Sequence, residues 1–208
     1  MSTAPYQRFV PSQHAWLWLC AGLTLASLAL WLTPLAWQAG LHWRAQSWMA
    51  QPWMLWTASL VHINAGHLVA NVLALVAVAA LGVLLHMPAQ AALALALAWP
   101  LATLGLVWWP AIGDFCGISG LIHAAIAVVI AQTAIKSIAN TGLWLLLIGL
   151  LAKLWSEHAW SQPWAMDADA GFAVVTAAHL TGALAGAGTV VLLEALRALC
   201  RVWPRAWR

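Results

Sequence analysis

The sequence predicts an all-α polytopic membrane protein, a bundle of six transmembrane helices with both termini cytoplasmic. Three observations carry this prediction. Of 208 residues, 64% are hydrophobic and only 6% charged, whereas a soluble globular chain is about 25% charged. The chain therefore lacks the polar side chains to cover a water-facing surface. The apolar residues fall into six runs near the length that crosses a bilayer. Lysine and arginine gather on alternate connections, as the positive-inside rule requires. The same composition excludes disordered, collagen-like, coiled-coil and disulfide-framework classes. Six spans of about 20 residues take up about 120 positions, so 1–208 reads as one membrane domain.

Each element follows from local composition. The first run, about 14–33, comes after a segment whose only charge is Arg8. It exceeds a signal-peptide core and reads as a retained span, ended by Pro34. Residues 34–66 are too long for a turn, and Trp37, Trp43, Trp48, Trp53 and Trp56 suit a belt lying in the membrane interface. Met87-Pro88 separates the second run, 67–86, from the third, 89–109, which Pro110 closes. The fourth run, 119–135, ends at Lys136, and Asn140 with Gly142 marks the turn into the fifth, 141–155. A polar segment, 156–170, precedes the sixth run, 171–196, and a basic tail, 197–208.

Charge sets the orientation. With the N-terminus inside, cytoplasmic segments carry Arg8, Lys136, Arg197, Arg201, Arg205 and Arg208, and outer segments only Arg44 and Lys153. Glu157, Asp167 and Asp169 fall in the last outer loop. The basic tail reads as an anchor on anionic lipid and not as a nucleic-acid footprint. Cys20, Cys116 and Cys200 are scattered and odd in number, so free thiols are expected.

Polar groups inside spans are costly and are functional candidates by default. His67 and Asn71 lie in the second run, Ser119 opens the fourth, and His179 lies in the sixth. At about 1.5 Å per residue, Ser119 stands about 26 Å above Lys136, His179 about 27 Å above Arg197, and Asn71 about 24 Å above Met87. Three helices thus place a serine, a histidine and an asparagine in one layer. A serine becomes nucleophilic when a histidine accepts its proton, and acyl transfer needs donors for the developing oxyanion. His67 and Asn71, four apart, share a helix face and both donate. The Ser119 N–H at a helix N-terminus is a third donor. Asp114 is the nearest carboxylate to Ser119 in sequence but sits in a loop, so a Ser–His dyad is expected and no triad. Gly182 and Gly186 form a GxxxG face on the sixth run, and Gly117 and Gly120 flank Ser119. Close helix contact there would bring His179 to Ser119.

These motifs resemble the rhomboid family. VHINAGHLVANVL (61–73) matches its His, five residues on a His, then four on an Asn; GISG (117–120) matches GxSG; AHLTGALAG (178–186) matches AHxxG. The order and spacing agree over about residues 14–196. The resemblance implies a six-helix intramembrane serine protease without metal or cofactor. Ser119 is then the nucleophile, His179 the general base, His67 and Asn71 the oxyanion donors, and His62 a tie between loop and core. Two departures stand out. His123 occupies the place of a usual tyrosine four residues after the serine. The Trp-Arg pair expected before the histidine motif falls at Trp53-Met54, while a Trp43-Arg44 pair occurs ten residues earlier. A small core with Ser-Gly-x-x-His is most similar to the rhombosortase branch. That likeness implies substrates anchored by a C-terminal Gly-Gly motif, one span and a basic end (GlyGly-CTERM). It also implies a bacterial inner membrane, with the site opening to the periplasm. His123 reads as a packing and orienting partner of His179, and His86 as an interfacial residue. The short fifth run and the loop 156–170 read as a lateral gate for substrate.

Three rival readings stay open at this level. One is a non-catalytic rhomboid-like binder of membrane proteins, against which the intact Ser119 and His179 argue. Another is a metal or haem protein ligated by His67, His123 and His179. The third is a small transporter, though no inverted repeat is visible. Leu121 spoils a GxSxG elbow, and HExxH is absent.

Overall fold

A computed structural model describes residues 14–167 and 171–202. In chain order its helices are α1 (His14–Trp31), α2 (Leu35–Ala39), α3 (Met54–Thr57), α4 (Ala65–Leu84), α5 (Ala89–Leu104), α6 (Ser119–Lys136), α7 (Thr141–Ser156) and α8 (Thr176–Val202). Two small antiparallel pairs join them: β1 (Trp43–Arg44) with β2 (Asp114–Phe115), and β3 (Ala165–Asp167) with β4 (Phe172–Val174). Among the described residues, five helices are long and apolar enough to cross a membrane: α1, α4, α5 with its 3-10 extension to Trp108, α6 and α8. The fifth predicted run forms α7, an apolar helix of 16 residues, or about 24 Å. Arg8, Asp169, Arg205 and Arg208 lie outside the described residues.

The bundle is apolar outside as well as inside. Leu25, Leu73, Val76, Leu145, Ile148 and Val191 are all more than half exposed, which suits hydrocarbon and not water. With lipid on one side, helices gain little by burying apolar surface and must instead approach closely. α6 is central and packs against α4, α5, α7 and α8. Its Ala124, Ala125 and Ala127 are buried, leaving room for neighbouring backbones. α1 leans on α4, where the Trp16 indole N–H donates to the Val78 carbonyl at 3.3 Å. A Cβ on Gly82 would lie 2.0 Å from that indole nitrogen, so only glycine admits the ring.

Helix starts follow local chemistry. Asn64 caps α4, its side chain accepting the His67 N–H at 2.8 Å, and Pro88 opens α5 where no donor is required. At the far end, Lys136 donates to the carbonyls of Leu85 and His86 at 3.2 and 2.9 Å, closing the open end of α4.

Two boundaries and the place of one tryptophan differ from the sequence prediction. Residues 172–174, read as the start of the sixth span, form β4, and the helix begins at Thr176. Phe172, Val174 and Val175 are apolar and partly β-branched, and hydropathy alone does not separate such a stretch from a helix. α8 also continues past Arg197 to Val202, so part of the basic tail is helical. Trp43 is no belt residue. It is fully buried among Met54, Ala58, Leu106 and Phe115, whereas Trp37 is 70% exposed. The free thiols expected at Cys20, Cys116 and Cys200 are present.

Candidate active site

The contact between α6 and α8 builds the site. A Cβ on Gly182 would meet the Gly120 carbonyl oxygen at 1.9 Å, and one on Gly186 the Ala124 oxygen at 2.2 Å. A Cβ on Gly120 would lie 2.8 Å from the Ala178 oxygen. Backbone thus rests on backbone, and His179 and Ser119 face each other across the crossing. The Ser119 hydroxyl lies 3.0 Å from His179 Nε2. His179 is buried and Ser119 partly open.

The other ring nitrogen of His179 has a partner that the sequence reading missed. His179 Nδ1 donates to Glu157 Oε2 at 2.8 Å, and Lys153 Nζ holds Oε1 at 2.9 Å. Asp114, named as the nearest carboxylate, is committed elsewhere. It accepts from His42 Nδ1 at 2.8 Å and faces Arg44 Nε at 3.5 Å. Glu157 reaches the site because the chain folds back after α7. His158 adopts φ +49°, Ala177 N–H donates to the Pro163 carbonyl at 3.1 Å, and the Thr176 hydroxyl donates to the Gln162 carbonyl. These bonds tie the loop to the start of α8, one turn from His179. A carboxylate four residues after Lys153, in a chain with five acidic residues, was the available signal.

Electrostatics outside the helices follow from these contacts. Burial raises the Glu157 carboxyl, but the hydrogen bonds from His179 and Lys153 prevail and hold it down at about 2. The hydrogen bond to Asp114, with a second to Cys116, raises His42 to about 10. Burial raises Asp114 too, but the hydrogen bonds and positive charges of His42 and Arg44 together outweigh it and leave the carboxyl below its ordinary range. Burial, then the neighbouring His67, pushes His62 down to about 4, so it is neutral at physiological pH.

The remaining predicted residues gather around Ser119. His123 Nδ1 donates to the Ser119 carbonyl at 2.8 Å, and its ring stacks on His179 with centroids 4.1 Å apart and planes at 13°. Gly117 has φ +123°, and a Cβ there would lie 2.6 Å from His67 Cε1. Glycine thus serves twice, by its conformation and by letting the imidazole lie against the chain. His67 Nδ1 faces the Ile63 N–H at 3.5 Å, a long contact. His62 is buried with its ring edge-on to His67 at 5.1 Å. Asn71 is buried one turn beyond His67, and its Nδ2 has no hydrogen-bond partner among the described residues. His86 is exposed at the end of α4.

A cavity of about 100 Å³ opens beside Ser119, lined by His42, His67, Cys116, Phe172 and Val174. A second, of about 350 Å³, lies by Lys153, Glu157, Gln162, Thr176 and His179. His179 thus directs Nε2 at Ser119 and Nδ1 at Glu157, with one face of its ring against His123.

Fold and site together define a multi-pass integral membrane protein with a serine–histidine–carboxylate array inside its helical bundle. The Rhomboid domain family matches residues 49–195, and the chain belongs to the rhomboid family of intramembrane serine proteases, which act on membrane-protein substrates within the bilayer. No curated protein matches the chain in sequence.

Proposed function

We propose that the protein is an intramembrane serine endopeptidase with Ser119 as nucleophile and His179 as general base. The observation that carries this reading is the 3.0 Å contact between Ser119 Oγ and His179 Nε2 at the α6–α8 crossing, within the family-matched residues. Ser119 Oγ attacks the scissile carbonyl while His179 Nε2 takes its proton, and the imidazolium then protonates the leaving amine. Water repeats the sequence on the acyl-enzyme. The oxyanion takes hydrogen bonds from the Ser119 N–H, which has no intrahelical partner in the first turn of α6, from His67, and from the free amide of Asn71. His123 holds the imidazole from its other face.

α7 serves as a sixth, shorter span, which completes one six-helix domain with both termini cytoplasmic in a bacterial inner membrane. The positive-inside count supports that orientation, and Lys136 at the end of α4 fits it. Ser119 then opens toward the periplasm. Substrate enters beside α7, which packs mainly on α6.

The preferred substrate is a secreted protein held by a C-terminal Gly-Gly motif, one span and a basic end. Besides the likeness to rhombosortases, the narrow cavity at Ser119 supports this class. A space of about 100 Å³ walled by Phe172, Val174 and Cys116 suits residues without side chains. The test is cleavage of such a substrate in proteoliposomes. Wild type should release the soluble part, and Ser119→Ala and His179→Ala should not. Cleavage by Ser119→Ala would overturn the enzymatic reading. Equal cleavage after Gly-Gly is replaced by Leu-Leu would overturn the substrate class alone.

A further inference from the structure

We propose that Glu157 is a positioning residue for catalysis, completing a Ser119–His179–Glu157 array whose carboxylate is itself oriented by Lys153. The inference rests on the serine-protease reading of the site and goes beyond its Ser–His pair.

An ionised carboxylate only accepts hydrogen bonds, so the 2.8 Å contact with Glu157 Oε2 requires the proton on His179 Nδ1. Nε2 then carries the lone pair, and the Ser119 hydroxyl 3.0 Å away can donate to it. The opposite tautomer would point an N–H at the serine and could not accept its proton. Glu157 therefore selects the only productive form of the base, and its negative charge stabilises the imidazolium formed as Ser119 attacks. The proton moves from Ser119 Oγ to His179 Nε2 and on to the leaving amine, while Glu157 stays ionised throughout.

Lys153 makes the arrangement specific. It has donors only, and it grips Oε1 at 2.9 Å from one helical turn away. Oε2 is thereby presented to His179. A lone carboxylate in a bilayer would be expensive, but this one is 12% exposed, paired, and beside the cavity of about 350 Å³ at the outer end of α7. His123, stacked on the same imidazole, restrains the ring plane but leaves its tautomer free.

This geometry yields an unusual order of variants. In Glu157→Gln, Lys153 claims the amide oxygen and turns the amide NH₂ toward His179 Nδ1, which enforces the wrong tautomer. Glu157→Ala leaves Nδ1 to water and both tautomers accessible. Glu157→Asp keeps the charge at a longer reach. The experiment measures the second-order labelling rate of Ser119 by a fluorophosphonate in the purified full-length protein, so it needs no assumption about the peptide substrate. Expected rates fall in the order Glu, Asp, Ala, Gln, with Gln down by about 10²- to 10⁴-fold. Lys153→Met should raise the rate in the Glu157→Gln background by freeing the amide to flip, and should lower it modestly beside the native Glu157. A merely structural role predicts the reverse for Gln, which is isosteric and should then label within about threefold of wild type. That result, with Ser119→Ala unlabelled, would overturn the proposal and leave the protease reading intact. Equal losses in Ala and Gln with no gain from Lys153→Met would also overturn it. Undiminished labelling of Ser119→Ala would instead defeat the reading on which it rests.

Discussion

Glycine at 182 sets the distance between His179 and Ser119, and the cost of changing it follows from the geometry. A Cβ on Gly182 would sit 1.9 Å from the Gly120 oxygen and 2.7 Å from its carbonyl carbon. Both are backbone atoms of a helix held on four sides, so no side chain can swing aside. Restoring an ordinary contact of about 3.2 Å requires α6 and α8 to part by about 1.3 Å. His179 lies three residues from Gly182 on the same helix face, and Ser119 adjoins Gly120. Most of the displacement therefore reaches the Nε2···Oγ contact, which opens from 3.0 Å to about 4 Å, beyond hydrogen-bond range.

A misplacement of about 1 Å costs about 10²-fold in rate, and forcing a methyl into a filled contact costs about 1–3 kcal/mol of stability. Gly182→Ala should thus lose at least about 10²-fold in kcat for a membrane-anchored substrate and unfold at lower denaturant. Gly188→Ala is the control, because nothing lies within 4 Å of its Cβ position. Gly186→Ala, facing Ala124 one turn further from His179, should cost similar stability and less activity. Cleavage by Gly182→Ala within threefold of wild type would refute the claim that this crossing sets the catalytic distance.

Other outcomes follow from the same site. Asn71→Ala and His67→Ala should each lose about 10²- to 10³-fold in kcat yet stay measurable, with His86→Ala near wild type; complete inactivity of Asn71→Ala would show more than oxyanion binding. His123→Ala should fall between these and Ser119→Ala, and His123→Phe, which keeps the stacking, should recover part of the loss. If His123→Ala is dead while His179→Ala cleaves, His123 is the base. A cross-link between α7 and α4 should stop cleavage of a full-length membrane substrate while fluorophosphonate labelling continues; unchanged cleavage would rule out the gate. Acid should destabilise the fold in two stages. His62 is depressed to about 4, so its charging opposes the fold as pH drops from about 6.5 toward 4. Glu157, depressed to about 2, contributes stability that is present above about 4.5 and lost as pH falls through about 2. Denaturant titrations across pH should lose the upper stage in His62→Gln and the lower in Glu157→Gln.

What was legible in the sequence was whatever depends on a single helix and its depth. Apolar runs broken by Pro34, Pro88 and Pro110 located α1, α4 and α5 to within a few residues, because lipid leaves little alternative to a helix. Counting residues back from Lys136 and Arg197 put Ser119 and His179 at one level, since rise per residue is fixed. GxxxG indicated that two backbones could touch. What was not legible depends on how a polar loop closes. Glu157 lies 22 residues before His179, and its approach rests on the turn at His158 and the bonds from Ala177 and Thr176, none of which has a hydropathy signature. The same blindness hid β4 inside an apolar run and put Trp43 in a belt when it fills a core. In that core, Trp43-Arg44 pairs with Asp114–Phe115, beside the chain entering Gly117 and Ser119.

These two loop systems divide the labour at the site. The β1–β2 pair and the His42–Asp114 contact hold the approach to Ser119 from one side, and Gly117 N–H is engaged by the Ala58 carbonyl at 2.9 Å. That bond fixes the turn before Ser119 and occupies the Gly117 N–H, so the proposed oxyanion donors are the Ser119 N–H, His67 and Asn71. On the other side, the turn that ends α7 brings Glu157 onto His179, with Lys153 from the last turn of α7 holding the carboxylate. On the reading proposed above, the helices supply distance and oxyanion donors, and the carboxylate that follows α7 supplies the tautomer. A membrane interior makes that division sensible, since packing there is set by small residues, while charged groups are tolerated only near water. α7 carries both the lipid-exposed face of Trp144, Leu145 and Ile148 and, at its outer end, the Lys153–Glu157 pair. Any outward movement of α7 to admit a substrate must therefore pull on the hydrogen bond to His179. If substrate enters beside α7 as proposed above, entry and the geometry of His179 are coupled through one helix, and the array, complete without substrate, must re-form once a substrate has seated.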